Sequence, residues 1–164
     1  MYSLSSQAFA SRAECYKHLN SQLQHLLEGE RDLIANASNA AALLFHTLPE
    51  VNWAGFYFNR HGELVLGPFQ GKPACVRIAI GKGVCGPCAQ KKETVVVKNV
   101  HEFPGHIACD SASNSEIVIP IVKFNRLIGL LDIDSPVAER FDHEDKAGLE
   151  TFIKIFSEHT NLLL

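Results

Sequence analysis

Apolar residues return at three- and four-residue steps along the first part of the chain and then switch to alternation, which predicts helices followed by strands. Phe9, Ala13, Tyr16, Leu19, Leu23 and Leu26 mark one face of an amphipathic helix. A second helix is predicted over 31–48, where Leu33, Ile34, Ala37, Ala41 and Leu44 repeat the spacing and Pro49 stops it. Strands follow at 53–58 and 63–69 about an Asn59-Arg-His-Gly62 turn, with a third at 74–80 before Gly81-Lys-Gly83. Residues 84–91 leave room for two helical turns, 94–97 reads as a strand, and 117–122 with 127–133 as a hairpin about Asn125. Asp142 stands where the N-cap of a last helix belongs, and Leu149, Phe152, Ile153 and Phe156 form its inward face.

Helices, six strands joined mostly by short turns, and a closing helix predict an α+β fold: a six-stranded antiparallel sheet flanked by N-terminal and C-terminal helices. With 164 residues and no internal repeat, residues 1–164 are expected to form a single domain. The terminal helices can cover one face of the sheet or supply a homodimer contact. A net charge of -3 without a basic patch argues against nucleic acid and anionic membrane as partners. Neither an export signal nor an apolar run near the ~20 residues that span a bilayer is present, so the expected location is cytoplasmic.

Five cysteines, Cys15, Cys75, Cys85, Cys88 and Cys109, are an odd number for a chain expected in a reducing compartment, which favours thiol chemistry or metal over a disulfide framework. Cys15 fits the first helical pattern and reads as packing. Cys109 lies in Gly105-His-Ile-Ala-Cys109-Asp110-Ser-Ala-Ser-Asn-Ser-Glu116, inside a long loop over 98–116, in the polar surroundings that suit a reactive thiol. Cys85-Gly86-Pro87-Cys88 is the tetrapeptide of thioredoxins, but Gly81-Lys-Gly83 stands where that fold needs a hydrophobic strand, and Thr94-Val-Val-Val97 cuts the helix short. The two thiols can still form a disulfide locally, with the helix start expected to lower their pKa. Cys85, Cys88, His106 and Cys109 together would offer four soft ligands to zinc, without a regular knuckle spacing for the second pair.

Strand alternation sends Asp132 and Asp134 to one face and Leu131 and Ile133 to the other. Like charges ~7 Å apart on an apolar strand call for a cation or an electrophile between them, unless the strand simply ends in water. Glu116 opens the neighbouring strand and can bring a third carboxylate to the Cys109 loop. Trp53 and Tyr57, sharing a face of the first strand, can wall an apolar pocket or pack in the core.

Asn52-Trp-Ala-Gly-Phe-Tyr57, Leu66-Gly-Pro-Phe-Gln-Gly-Lys72, Ala74-Cys-Val-Arg-Ile78, Gly83-Val-Cys-Gly86, Gly105-His-Ile-Ala-Cys-Asp110, Ser113-Asn-Ser-Glu-Ile117 and Leu131-Asp-Ile-Asp-Ser135 together resemble the free methionine-(R)-sulfoxide reductases, a family of GAF-domain enzymes. The resemblance runs over nearly the whole chain from Leu33 onward. It implies an oxidoreductase that repairs free L-methionine (R)-sulfoxide without a cofactor or metal. In this reading Cys109 is the catalytic thiol, Cys75 the resolving thiol, and thioredoxin the reductant. Glu116, Asp132 and Asp134 match the family's carboxylates, for substrate binding and proton donation, and Trp53 and Tyr57 match its pocket wall. Cys88 departs from the pattern, since members commonly carry another residue there. The departure raises a relay in which the Cys75 disulfide passes to Cys85 and Cys88 before thioredoxin acts. The competing class is a GAF domain that senses a small ligand or redox state without turning anything over.

Overall fold

The computed structural model describes residues 9–106 and 110–162. Helix α1 (Arg12–Leu26) begins at Ser11, whose hydroxyl accepts the Glu14 N–H, so the helix starts three residues later than the apolar spacing alone implies. Helix α2 (Leu33–Thr47) is capped by Asp32, which accepts from Ala35. Strands β1 (Trp53–Arg60) and β2 (Glu63–Gly71) are joined through His61 and Gly62, both at positive φ (54° and 87°), the backbone that a tight hairpin requires. Strand β3 (Arg77–Ala79) is shorter than the predicted 74–80. Residues 72–75 leave the ladder: Pro73 has no N–H to give it, and the carbonyls of Lys72 and Cys75 are taken by side chains of β1.

Helix α3 (Cys85–Lys91) has the predicted two turns, and β4 (Val95–Val97) follows. The predicted loop 98–116 holds one 3-10 turn at Val100–Glu102 before β5 (Ser115–Lys123) begins. β6 (Arg126–Ser135) returns through Phe124 and Asn125, again both at positive φ (49° and 58°). In α4 (His143–His159), Asp142 is the N-cap and completes a reciprocal capping box with Asp145.

The strands form one sheet in the order β3-β2-β1-β6-β5-β4, and every neighbouring pair is antiparallel. One face carries Phe56, Phe58, Ile117, Ile119, Leu131 and Ile133 against α1, α2 and α4. There the Phe56 ring stacks on Phe156 at 4.9 Å. The terminal helices cover this face; α1 and α4 are further tied by fully buried Asp145, which accepts from Tyr16 (2.8 Å), Arg12 (2.7 Å) and Arg140 (2.9 Å). The other face carries Trp53, Tyr57, Val118 and Leu130 beneath α3. This second face positions the site. No helix among the described residues is long and apolar enough to cross a membrane.

Candidate active site

Register decides which side chains meet. Trp53 pairs with Asp134 and Gly55 with Asp132 across β1 and β6, while Glu116 pairs with Asp134 and Val118 with Asp132 across β5 and β6. Because side chains alternate, Trp53, Tyr57, Glu116, Asp132 and Asp134 all emerge on the α3 face. They line one pocket holding about 560 Å³ of empty space, counting its mouth, with α3 contributing Val84 and Cys85. The loop that follows β2 and the loop before β5 form its rim through Lys72, Pro73, His106 and Asp110.

Glu116 and Asp132 are buried, at 6% and 7% exposure, and Asp134 is half-buried, so the strand that carries Asp132 does not simply end in water there. Burial raises all three carboxyl pKa values above their ordinary range. Asp132 rises to about 6. Glu116 and Asp134 rise well above normal, each pushed further by the neighbouring Asp132 charge. Asp132 is held lowest of the three because it accepts hydrogen bonds from Glu116 and from the Cys85 thiol, the latter at 3.5 Å. The cluster thus sets Asp132, the most acidic of the three, beside two carboxyl groups whose pKa values are raised further. The Oδ1 of Asp132 is buried without a hydrogen-bond partner among the described residues.

The opposite wall is aromatic. Trp53 stacks on Phe69 at 5.3 Å and lies 6.0 Å from Tyr57. Gly55 makes this possible, since a Cβ there would stand 2.3 Å from Phe69 Cβ and 2.6 Å from the Trp53 ring. Trp53 Nε1 donates to the Lys72 carbonyl at 3.0 Å and the Tyr57 hydroxyl to the Cys75 carbonyl at 3.0 Å, so the wall also anchors the loop bearing Cys75. That loop is tied to the other rim by Lys72 and Asp110, 3.2 Å apart. The Ala112 N–H and then Lys72 hold the Asp110 carboxyl below its ordinary pKa. His106 Nε2 lies 3.8 Å from Glu116, with its pKa lowered first by burial and then by His101.

The thiols separate by environment. Cys75 is half-buried and held in a disulfide. Cys109 lies outside the described residues. Cys85 and Cys88 are free thiols, 3% and 0% exposed, and neither behaves as the helix-start reading expects. Burial, then the Asp132 charge, drives the Cys88 pKa to about 12 and the Cys85 pKa well above normal. A helix of seven residues does not offset that desolvation. The Cys88 thiol donates instead to the Val118 carbonyl at 3.6 Å, so Cys88 faces the sheet and not His106, and the supposed Cys85, Cys88, His106, Cys109 zinc set loses a ligand. Cys15 packs in the helical core, as the pattern predicts.

Phe69, Lys72 and Ser113 were given no role by residue type alone. Ser113 sits at the pocket with its hydroxyl accepting from Asn52 at 3.2 Å and bonding Asp134. Only strand register brings Phe69 to Trp53.

A GAF domain family model matches residues 21–159. The chain is 50% identical over 143 residues to the free methionine-R-sulfoxide reductase of Escherichia coli, covering 87% of each chain. It is 42% identical over 156 residues to the enzyme of that name from Saccharomyces cerevisiae, covering 90% of this chain and 87% of the yeast one. The X-ray structure of free methionine-R-sulfoxide reductase from Neisseria meningitidis in complex with its substrate superposes with a TM-score of 0.92 at 41% identity, over 97% of this chain and 95% of that one. Six antiparallel strands with helices on both faces, and identities of this size over nearly the full length, lead to one conclusion: the chain belongs to the GAF domain family and, within it, to the free methionine-R-sulfoxide reductases.

Proposed function

We propose that the protein reduces free L-methionine (R)-sulfoxide to L-methionine, with Cys109 as nucleophile, Cys75 as resolving thiol and thioredoxin as reductant. The observation that carries this reading is the pairing of buried Asp132 with Glu116 and Asp134, whose pKa values are raised further, on one floor, opposite an aromatic wall. A free amino acid brings an ammonium group, which the unpartnered Oδ1 of Asp132 suits. Its methyl group packs on Trp53, and its sulfoxide oxygen needs a proton, which Glu116 and Asp134, both with raised pKa values, are suited to donate.

The Cys109 thiolate attacks the sulfoxide sulfur to form an S–S bond as a carboxyl proton passes to the oxygen; the S–O bond then breaks, and the released oxygen, as water less a proton, bonds to the Cys109 sulfur as the S–S bond breaks. Methionine leaves, reduced by two electrons, and Cys109 carries the oxygen as a sulfenic acid. The Cys75 thiol then displaces that oxygen as water, forming a disulfide, and a dithiol of thioredoxin opens it by exchange. Support for the second step comes from Cys75 itself, which is disulfide-bonded on a loop reaching the pocket rim.

The test is thioredoxin-coupled NADPH oxidation with free L-methionine (R)-sulfoxide, its (S) epimer and the N-acetylated (R) compound. Turnover of the first alone is expected, because acetylation removes the ammonium that Asp132 receives. Absence of turnover with folded, reduced protein would move the reading to a ligand-binding GAF domain.

A further inference from the structure

We propose that Cys85, Glu116 and Asp132 form a binding site for a divalent thiophilic cation of the zinc class on the floor of the pocket. One ligand atom from each, the Cys85 Sγ and a carboxylate oxygen of Glu116 and of Asp132, lies within 4.8 Å of the others, and all three side chains are buried. Metal bonds of about 2.3 Å to sulfur and 2.1 Å to oxygen place ligands about 3.6 Å apart at tetrahedral angles. The Cys85 Sγ and Asp132 Oδ2 already stand at 3.5 Å. Binding displaces the protons of the Cys85 thiol and the Glu116 carboxyl to solvent, and the thiolate and two carboxylates so formed are neutralised far better by a divalent ion than by a single ammonium.

A second observation points the same way. Asp132 Oδ1 is buried and lacks a hydrogen-bond partner among the described residues, so one oxygen of the cluster has lost its water without gaining a donor. Cys85 stands on α3, Glu116 on β5 and Asp132 on β6, three packed elements that fix the set before any ion arrives. This set differs from a Cys85 and Cys88 chelate, because the Cys88 sulfur is directed at the Val118 carbonyl.

An ion here occupies the place assigned above to the substrate ammonium, so cation and substrate exclude each other. That exclusion rests on the proposed function; the cation site does not. A thiophilic ion is therefore a competitive inhibitor of the enzyme, and methionine sulfoxide shields the cluster from it.

Cobalt(II) titration of the full chain, without reductant so that the Cys75 disulfide stays closed, tests the site. One cobalt per chain with a near-ultraviolet sulfur-to-metal charge-transfer band is expected, displaced by zinc. The band should vanish in Cys85→Ser and persist in Cys88→Ser, and Asp132→Asn should weaken binding at least tenfold. No band, or a band that survives in Cys85→Ser, overturns the site. Should Cys85→Ser fail to fold, an unchanged cobalt affinity in Asp132→Asn overturns it instead. Adding methionine (R)-sulfoxide should release the cobalt; retention with a Cys85-dependent band would overturn the exclusion while leaving the metal site standing.

Discussion

The Tyr57 hydroxyl donates to the Cys75 carbonyl at 3.0 Å, so a side chain of the pocket wall holds the backbone of the loop that carries Cys75, the proposed resolving thiol. Tyr57 is buried, and burial followed by the Asp132 charge raises its pKa, so the hydroxyl remains a donor across the working pH range. Tyr57→Phe keeps the ring against Trp53 and removes one hydrogen bond, which should cost about 1 kcal/mol of stability. Recycling should suffer more than substrate chemistry. In rapid-quench experiments the variant is expected to release its first equivalent of methionine near the parent rate and to close the Cys75 disulfide several-fold more slowly. Equal slowing of both steps would show that Tyr57 serves the pocket alone.

Glu116 and Asp132 should fail differently when neutralised. Asp132→Asn removes the anion proposed to receive the ammonium, a charge-assisted bond worth about 1.5–3 kcal/mol. It should therefore raise KM by roughly 10- to 100-fold with a smaller effect on kcat. Glu116→Gln keeps the shape and loses the proton, so kcat should fall by roughly 10²–10⁴ with KM little changed. Steady-state kinetics of the two variants check the division, and a reversed pattern would exchange the roles.

Cys88 should be a spectator in recycling, because its thiol is fully buried and pushed up to about 12. Thioredoxin needs an exposed sulfur to attack, and exchange needs a thiolate. Cys88→Ala should recycle at the parent rate while losing on the order of 1 kcal/mol of stability to the small cavity. In native protein Cys88 should also escape alkylation by iodoacetamide, as read by peptide mass mapping. A slower recycling step in the alanine variant would restore the relay.

Period and punctuation made most of the architecture legible from sequence. The inward face Leu149, Phe152, Ile153 and Phe156, the Asp142 cap, and the turn at Asn125 all follow from local rules, and the structure keeps them. The carboxylate face was legible for the same reason, since alternation alone puts Asp132 and Asp134 together. What local rules could not reach was depth. Cys85-Gly86-Pro87-Cys88 looks like an exposed redox turn until α3 is packed on Val118 and Asp132, where desolvation reverses the expected pKa. The short β3 escaped for a similar reason: the Tyr57 side chain, not a neighbour in sequence, claims the Cys75 carbonyl within the predicted 74–80.

Gly55 offers a test of the wall that leaves every polar group in place. A methyl group there meets Phe69 Cβ at 2.3 Å and Trp53 at 2.6 Å, so Gly55→Ala must push the two rings apart or displace β2. Overpacking of this kind costs about 1–3 kcal/mol. Affinity for methionine (R)-sulfoxide should drop at least several-fold while the coupled thioredoxin reaction with preformed disulfide proceeds normally. Unaltered affinity in a folded Gly55→Ala protein would mean that Trp53 does not contact the substrate.

The carboxylate cluster should also leave a signature in stability against pH. Asp132 has a folded pKa of about 6 against an ordinary 3.8, so between these values the folded chain holds a proton that the unfolded chain has released. With more protons on the folded state, stability falls as pH rises through that window, and the loss is complete above about pH 6. A shift of this size corresponds to something on the order of 1–3 kcal/mol. Other groups move the total curve: His106, whose pKa is lowered by burial, adds stability as pH rises and so opposes the trend. The difference between parent and Asp132→Asn cancels groups outside the cluster such as His106, and keeps the part of the Glu116 and Asp134 shifts that the Asp132 charge causes. Urea unfolding should show the two proteins nearly equal at about pH 4 and the variant more stable at pH 7. A gap of the same size at both pH values would place the Asp132 carboxylate in a site that costs the fold nothing, contrary to its burial beside Glu116 and Asp134.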